Sequence, residues 1–191
     1  AQALSIGRKK IAKSLAKNVT ASMQQLAMPG GRFNVNVQQA KPTSHGIDQI
    51  IFEVAGHEGT ATKPLAKVAS GGELARISLA LSVLTSQTAR VPTLIFDEVD
   101  TGIGGAVAEI VGQLLRELGT RHQVLCVTHL PQVAARGQFH FEVSKIKKSG
   151  SVVSEVTALD QPGRTESIAR MLGGIKITDT TRQHAREMLQ Q

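Results

Sequence analysis

Apolar residues recur at three- and four-residue intervals at Ile11, Leu15, Val19, Met23 and Leu26, which predicts a helix over residues 4–27. Pro29-Gly30-Gly31 ends the pattern. The stripe is narrow, as suits a helix that pairs with a single partner helix. The period then falls to two. Phe33-Asn34-Val35-Asn36-Val37 alternates like a half-buried strand, Ile47 to Val54 is a second strand, and a polar loop fills 56–64. From Leu74 to Val83 the chain is apolar nearly all round, the mark of a buried helix. Leu94-Ile95-Phe96 and the run Val124 to Thr128 predict strands covered on both faces, the habit of a parallel sheet. Between them Ile103, Val107, Ile110, Val111, Leu114 and Leu118 keep helical spacing, so the two strands are expected to lie parallel through a right-handed crossover. Phe139 to Leu159 predicts a hairpin turning at Lys148-Ser149-Gly150. Helices at 164–172, ended by Gly173-Gly174, and at 179–189 close an α/β chain without repeats or low-complexity tracts.

At 191 residues this pattern fills one domain or one lobe of a larger one. Aromatic residues are only 3%, with no Trp or Tyr, so the core must be aliphatic. The same scarcity argues against single-strand binding by base stacking. The single cysteine, Cys126, excludes an internal disulfide and any multi-cysteine metal site, and its apolar setting predicts a buried, inert thiol. No apolar stretch approaches the roughly 20 residues of a membrane span, and the basic N-terminus lacks the apolar run of a secretory signal. A cytoplasmic protein with no membrane partner is expected. The net charge of +7 is uneven: Arg8, Lys9, Lys10, Lys13, Lys17, Arg32 and Lys41 all precede the first acidic residue, Asp48. Such a segment reads either as a solvated helix face or as a nucleic-acid surface.

Three short constellations carry chemistry. Ser70-Gly71-Gly72-Glu73 opens the predicted buried helix. A capping box accounts for Ser70 and Glu73 but not for the glycines, each of which costs up to about 1 kcal/mol relative to Ala inside a helix. They make sense where something approaches the backbone closely, and a helix N-terminus favours phosphate. Asp97 and Glu98 end a buried strand, on the carboxyl edge where open α/β sheets bind ligands. Neighbouring side chains on a strand diverge, so one acid can hold Mg²⁺ while the other orients and deprotonates a water. His129 ends the next strand and is expected on the same edge. The bland alternatives are a helix cap, strand-end acids that cap the following helix, and a structural histidine.

In order and spacing these pieces resemble the ATP-binding-cassette ATPases. The longer strings Val68-Ala69-Ser70-Gly71-Gly72-Glu73-Leu74-Ala75-Arg76, Leu94 to Ile103 and Val127 to Ala134 are similar to a bacterial DNA-repair branch related to the SMC chromosome-organising ATPases. The resemblance implies that residues 70–73 are the signature motif, that Phe96-Asp97-Glu98 closes the Walker B strand, that Val99-Asp100-Thr101-Gly102 is the D-loop and that His129 is the switch histidine. It assigns Mg²⁺ to Asp97, the attacking water to Glu98 and the γ-phosphate contact to His129. Ser70, Gly71, Gly72, Glu73 and Asp100 would serve ATP binding, the glycines facing nucleotide on an opposing head. The family also requires G-x-x-x-x-G-K-[ST] to hold the phosphates, and no such string occurs here. The chain is therefore expected to be the C-terminal lobe of an ATPase head (30–191) with the end of a coiled-coil arm (1–28), inactive alone. The implied partners are an N-terminal Walker A lobe, a second head sandwiching ATP, DNA as broken ends or single strands, and recombination proteins. The implied setting is the bacterial nucleoid. A basic DNA-binding module and a non-catalytic interaction lobe are the rival readings.

Overall fold

The computed structural model describes residues 1–68, 70–88, 91–148, 151–174 and 177–190. They form two compact units, Ala1–Val127 and Thr128–Gln191.

The first unit opens with helix α1 (Gln2–Gln25), followed by strands β1 (Arg32–Thr43), β2 (Gly46–Ala55) and the two-residue β3 (Lys63–Pro64). These strands make an antiparallel sheet in the order β1-β2-β3. The helix closes with Ala27 in the left-handed region at φ 58°, while the Met28 N–H donates to the Met23 carbonyl at 3.1 Å. That reversal sends the chain back along the helix into β1. Thr20 fastens the return, its hydroxyl accepting from the Phe33 N–H at 3.0 Å.

The buried face of α1 keeps Val19, Met23 and Leu26 of the predicted stripe but not Ile11. Ser5, Ala12, Val19 and Met23 are buried, whereas Ile11 is 67% exposed. The reason is polar as much as apolar. The Ser5 hydroxyl donates to Asp48 Oδ1 at 2.6 Å, and Arg8 Nη1 pairs with Asp48 Oδ2 at 3.1 Å and donates through Nη2 to the His45 carbonyl. These contacts rotate Ser5 and Ala12 onto β1 and β2, where small side chains allow close approach. Ser5 first, then Arg8, holds the Asp48 carboxyl below its ordinary range against partial burial that raises it. Helix α1 thus lies along a sheet for its length and also touches α2 (Gly71–Thr85), rather than meeting one helix alone.

Helix α2 follows a single 3₁₀ turn at Leu65–Lys67. It buries Gly72, Arg76, Ile77, Leu79 and Ala80, but Leu74 and Leu84 remain exposed, so the predicted all-round burial holds for one side only. Strand β4 (Thr93–Phe96), helix α3 (Gly105–Leu118) and strand β5 (Gln123–Cys126) form the expected strand–helix–strand unit. The strands pair in parallel, Thr93 opposite Gln123 and Phe96 opposite Cys126, and the Val127 N–H extends the ladder to the Phe96 carbonyl. Helix α3 begins at Gly105 and leaves Ile103 outside. The expectation of two covered faces fails here. Phe96 is buried on one side, but Ile95 on the other is 72% exposed, with Leu125 and Val127 beside it. Among the described residues, nothing covers that second face.

The second unit contains the short helix α4 (Pro131–Ala135), the hairpin β6 (Phe141–Lys148) and β7 (Ser151–Ala158), and helices α5 (Gln161–Gly173) and α6 (Asp179–Leu189). The hairpin matches its prediction, though the turn residues Ser149 and Gly150 lie outside the described residues. Helix α5 starts three residues earlier than the expected 164 because Asp160 caps it, accepting from the Gly163 N–H at 2.9 Å. Ala135, Ile168, Ala169 and Ala185 form its core, and Arg182 bridges α6 to Glu166 of α5 at 2.6 Å. No helix among the described residues is long and apolar enough to cross a membrane.

The observed α1 face makes a direct expectation. Met23→Ala should cost about 2–5 kcal/mol in urea unfolding, as for other buried large-to-small changes. Ile11→Ala should stay within about 0.5 kcal/mol. Comparable losses at the two positions would contradict the observed face.

Candidate functional site

Ser70 stands in extended conformation as the N-cap of α2, and its side chain accepts from the Glu73 N–H at 3.3 Å. That is one half of the anticipated capping box. The Glu73 carboxylate instead lies beside Gly56 and at 3.7 Å from His57 Nε2, in the loop after β2. Ser70 and Gly71 are exposed, while Gly72 is buried and the Glu73 N–H is taken up by the Ser70 cap.

The carboxylates stand where the strand pattern puts them, just past the carboxyl end of β4. Both are exposed. The Glu98 N–H donates to Asp97 Oδ1 at 2.9 Å, and Glu98 itself takes the left-handed conformation at φ 58°, uncommon for any residue but glycine. This turn carries the Glu98 side chain onto α2. A Cβ added to Gly71 would collide with Glu98 Oε2. Sequence order alone separates these two residues, and the fold brings them into contact.

Behind them lies a second close approach. A Cβ on Gly72 would fall 3.1 Å from Arg76 Nη1, 3.1 Å from the Thr101 carbonyl oxygen and 3.2 Å from Thr101 Cβ. Arg76 Nη1 donates to that carbonyl at 2.8 Å, and the Thr101 N–H donates to the Glu98 carbonyl at 3.1 Å. The paired glycines therefore serve packing as well as exposure: Gly71 admits the Glu98 carboxylate, and Gly72 admits the loop after β4. Asp100, the D-loop acid of the resemblance, is buried at 2% exposure. Burial first, then Asp100 and Asp97, pushes the Cys126 thiol up to about 12, so it stays protonated at neutral pH. Cys126 is half-buried rather than buried as expected, and its raised pKa fits the inert thiol of that expectation.

His129 opens the second unit, shortly after β5, and is exposed. The adjoining Leu130 N–H donates to the Thr128 side chain at 3.1 Å. Within the first unit the site therefore unites Ser70, Gly71, Gly72, Asp97 and Glu98, with Asp100 beneath them and Glu73 turned aside.

The donor set suits Mg²⁺ in one particular mode. No group of three or more His, Cys, Asp or Glu residues among the described residues could hold a metal. Mg²⁺ commonly takes only one or two carboxylates, with phosphates and waters completing its shell. Asp97, with Oδ1 already accepting from Glu98 and the residue exposed, fits that minimal role.

No protein-family profile matches the chain. Individual proteins do. It is 50% identical over 191 residues to the DNA repair protein RecN of Haemophilus influenzae, covering 99% of this chain and 34% of that protein. It is 47% identical to RecN of Xylella fastidiosa strain Temecula1 over 194 residues (100% and 35%), and 37% identical to RecN of Bacillus subtilis over 200 residues (96% and 35%). Its relatives are RecN proteins. The chain spans about a third of the length of these RecN relatives. Among solved structures, the Smc head domain with a coiled coil and joint from Pyrococcus yayanosii aligns with TM-score 0.60 and 23% identity, over 86% of this chain and 29% of that one. A structure from work on ATP-driven dimerization and DNA stimulated activation of SMC ATPases aligns with TM-score 0.53 and 21% identity, over 90% and 99%. At these identities the likeness concerns fold: the chain has the fold of part of an SMC-type, ABC-type ATPase head.

Arg76 and Thr101 lie within the quoted strings, but motif reading gave neither a role of its own. The available signal was a lone arginine in an apolar helix, but its partner lies 25 positions away, beyond the reach of local pattern.

The two glycines should separate by substitution. Gly72→Ala meets a backbone carbonyl and should cost about 1–3 kcal/mol in urea unfolding. Gly71→Ala meets only the mobile end of Glu98 and should stay within about 0.5 kcal/mol. Equal losses would contradict this packing.

Proposed function

We propose that this chain supplies the Walker B, signature and switch elements of the ATPase head of an SMC-like DNA double-strand-break repair protein. The observation that carries the reading is the placement of Asp97 and Glu98 at the end of a parallel strand, with Glu98 against the capped first turn of α2. The RecN relatives supply the repair context.

In this reading the phosphates are gripped by a Walker A loop on an N-terminal lobe of the same protein. The bare face formed by Ile95, Leu125 and Val127 supports such a partner, because exposed contiguous apolar surface ordinarily marks an interface. Asp97 would hold Mg²⁺, which would offset the negative charge of the phosphates. Glu98 orients the attacking water and accepts its proton. His129 contacts the γ-phosphate. Ser70, Gly71 and Gly72 act on nucleotide bound to an opposing head, where N–H groups at a helix start favour phosphate oxygens. ATP then clamps two heads together, and hydrolysis releases them.

The chain by itself should show no ATP turnover, and addition of the Walker A lobe should restore it. In the full-length protein Glu98→Gln should lower kcat by about 10²–10⁴-fold, the range of a lost general base, while ATP-dependent head dimers persist. Ser70→Arg should prevent those dimers. Robust hydrolysis by the chain alone, abolished by Glu98→Gln, would overturn the divided site.

One observation favours DNA as a direct partner of α1. Arg8 is engaged with Asp48, but Lys9, Lys10, Lys13 and Lys17 are exposed along the helix. If each neutralises one phosphate, the slope of log affinity against log salt should steepen by about 0.9 per lysine on duplex DNA. Replacing all four by Glu should remove that salt-sensitive binding. Unchanged binding and slope would leave α1 a solvated face.

A further inference from the structure

We infer that Arg76 is a positioning residue for ATP hydrolysis, coupling the signature end of α2 to Glu98 through the Thr101 carbonyl. The inference rests on the ATPase reading above and adds a residue to it.

Arg76 is 6% exposed in a helix whose other buried positions are apolar or glycine. Taking a guanidinium out of water is costly, and an apolar side chain of similar length often serves stability as well. Here the charge is also incompletely partnered, for the buried Nε has no hydrogen-bond partner. Burial lowers the guanidinium pKa, and Glu73 opposes that shift. The interaction that Arg76 does make is specific. Nη1 donates to the Thr101 carbonyl at 2.8 Å and lies 3.1 Å from where a Cβ of Gly72 would sit. Stability alone gives little reason to keep this arginine, but geometry gives one.

Thr101 is tied in turn to Glu98, its N–H donating to the Glu98 carbonyl at 3.1 Å. Glu98 is held in a left-handed conformation that ordinary residues seldom adopt, with its carboxylate at Gly71. The path from α2 to Glu98 therefore runs Arg76, Thr101 carbonyl, Thr101 N–H, Glu98 carbonyl. Its two non-covalent links are hydrogen bonds within the first unit, joined by the Thr101 backbone. In the ATPase reading the two ends of this path serve different nucleotides: the start of α2 meets the one on the opposing head, and Glu98 works on the one in its own head. Arg76 makes the two ends one rigid piece. When α2 docks on the opposing nucleotide, the loop bearing Glu98 is held in register with it. Such a residue contributes to the chemical step and not to the initial capture of ATP.

The test uses the full-length protein and compares wild type, Glu98→Gln, Arg76→Met and Arg76→Lys for melting temperature, KM for ATP, ATP-dependent dimerisation and kcat. Arg76→Met keeps length and removes the donor. It is expected to melt within a few degrees of wild type, to dimerise with ATP, and to lose about tenfold in kcat with KM within about twofold, the split of an interaction needed in the transition state alone. Arg76→Lys keeps one charged donor and should fall between the two. If Arg76→Met does not fold, Arg76→Lys decides: a kcat at least threefold below wild type with unchanged KM and melting supports the role. Wild-type kcat in a folded Arg76→Met, or in Arg76→Lys where Arg76→Met does not fold, overturns it, as does a change confined to KM. If wild type hydrolyses no ATP, or Glu98→Gln hydrolyses as well as wild type, the ATPase reading itself fails. If both controls behave and the Arg76 variants match wild type, only the positioning role fails.

Discussion

The Thr101 carbonyl enters a gap that only a glycine at position 72 leaves open, and Arg76 closes over it. The rest of the site depends on this close approach. It fixes the loop after β4 against the first turn of α2, and the same loop carries Glu98 at φ 58°. A residue in that conformation persists only where its surroundings over-determine it, at a cost of order 1–3 kcal/mol. Here the restraints are the Asp97 carboxylate accepting the Glu98 N–H, the Thr101 N–H on its carbonyl, and buried Val99 and Asp100 beside it. Two glycines that weaken the helix locally thereby allow a strand end and a helix start to share one surface.

The surfaces of the first unit divide by chemistry. Polar anchoring at Ser5, Arg8 and Asp48 holds α1 onto β1 and β2, and exposed lysines occupy positions 9, 10, 13 and 17 of that helix. The parallel pair β4 and β5 is apolar on both sides and covered on one. The ATPase-head reading accounts for the bare side by a second lobe, and for the lysines by the phosphate backbone of DNA. A free-standing interaction lobe would account for the bare face but not for two carboxylates and a glycine-rich helix start converging on one edge.

Much of this was legible in the chain itself. The period of three to four residues located α1 and α3, the alternation at Phe33–Val37 located β1, and the wholly apolar runs located β4 and β5 in the parallel pairing expected of them. The site residues were legible because their chemistry is unusual for their place: two glycines where a helix begins, two acids where a buried strand ends. What escaped were the partners. Glu73 was expected to reach back to its own helix cap, yet it faces His57, since the loop after β2 passes close by. Arg76 stood at the end of a quoted string with no role assigned to it.

The sequence by itself determined which segments are helix or strand and which residues stand at their ends, because backbone geometry imposes those periods locally. Only the tertiary structure decided which side of each element is buried. Ile11 faces solvent while Ser5 and Ala12 are covered together with Val19, Met23 and Leu26, and Ser5 meets Asp48, 43 positions away. Ile95 is bare for a related reason: a strand's pattern shows that a face wants cover, not which element provides it. Glu98 meets Gly71 because a left-handed turn and a space the size of a missing Cβ coincide, and both are properties of packed atoms rather than of spacing along the chain.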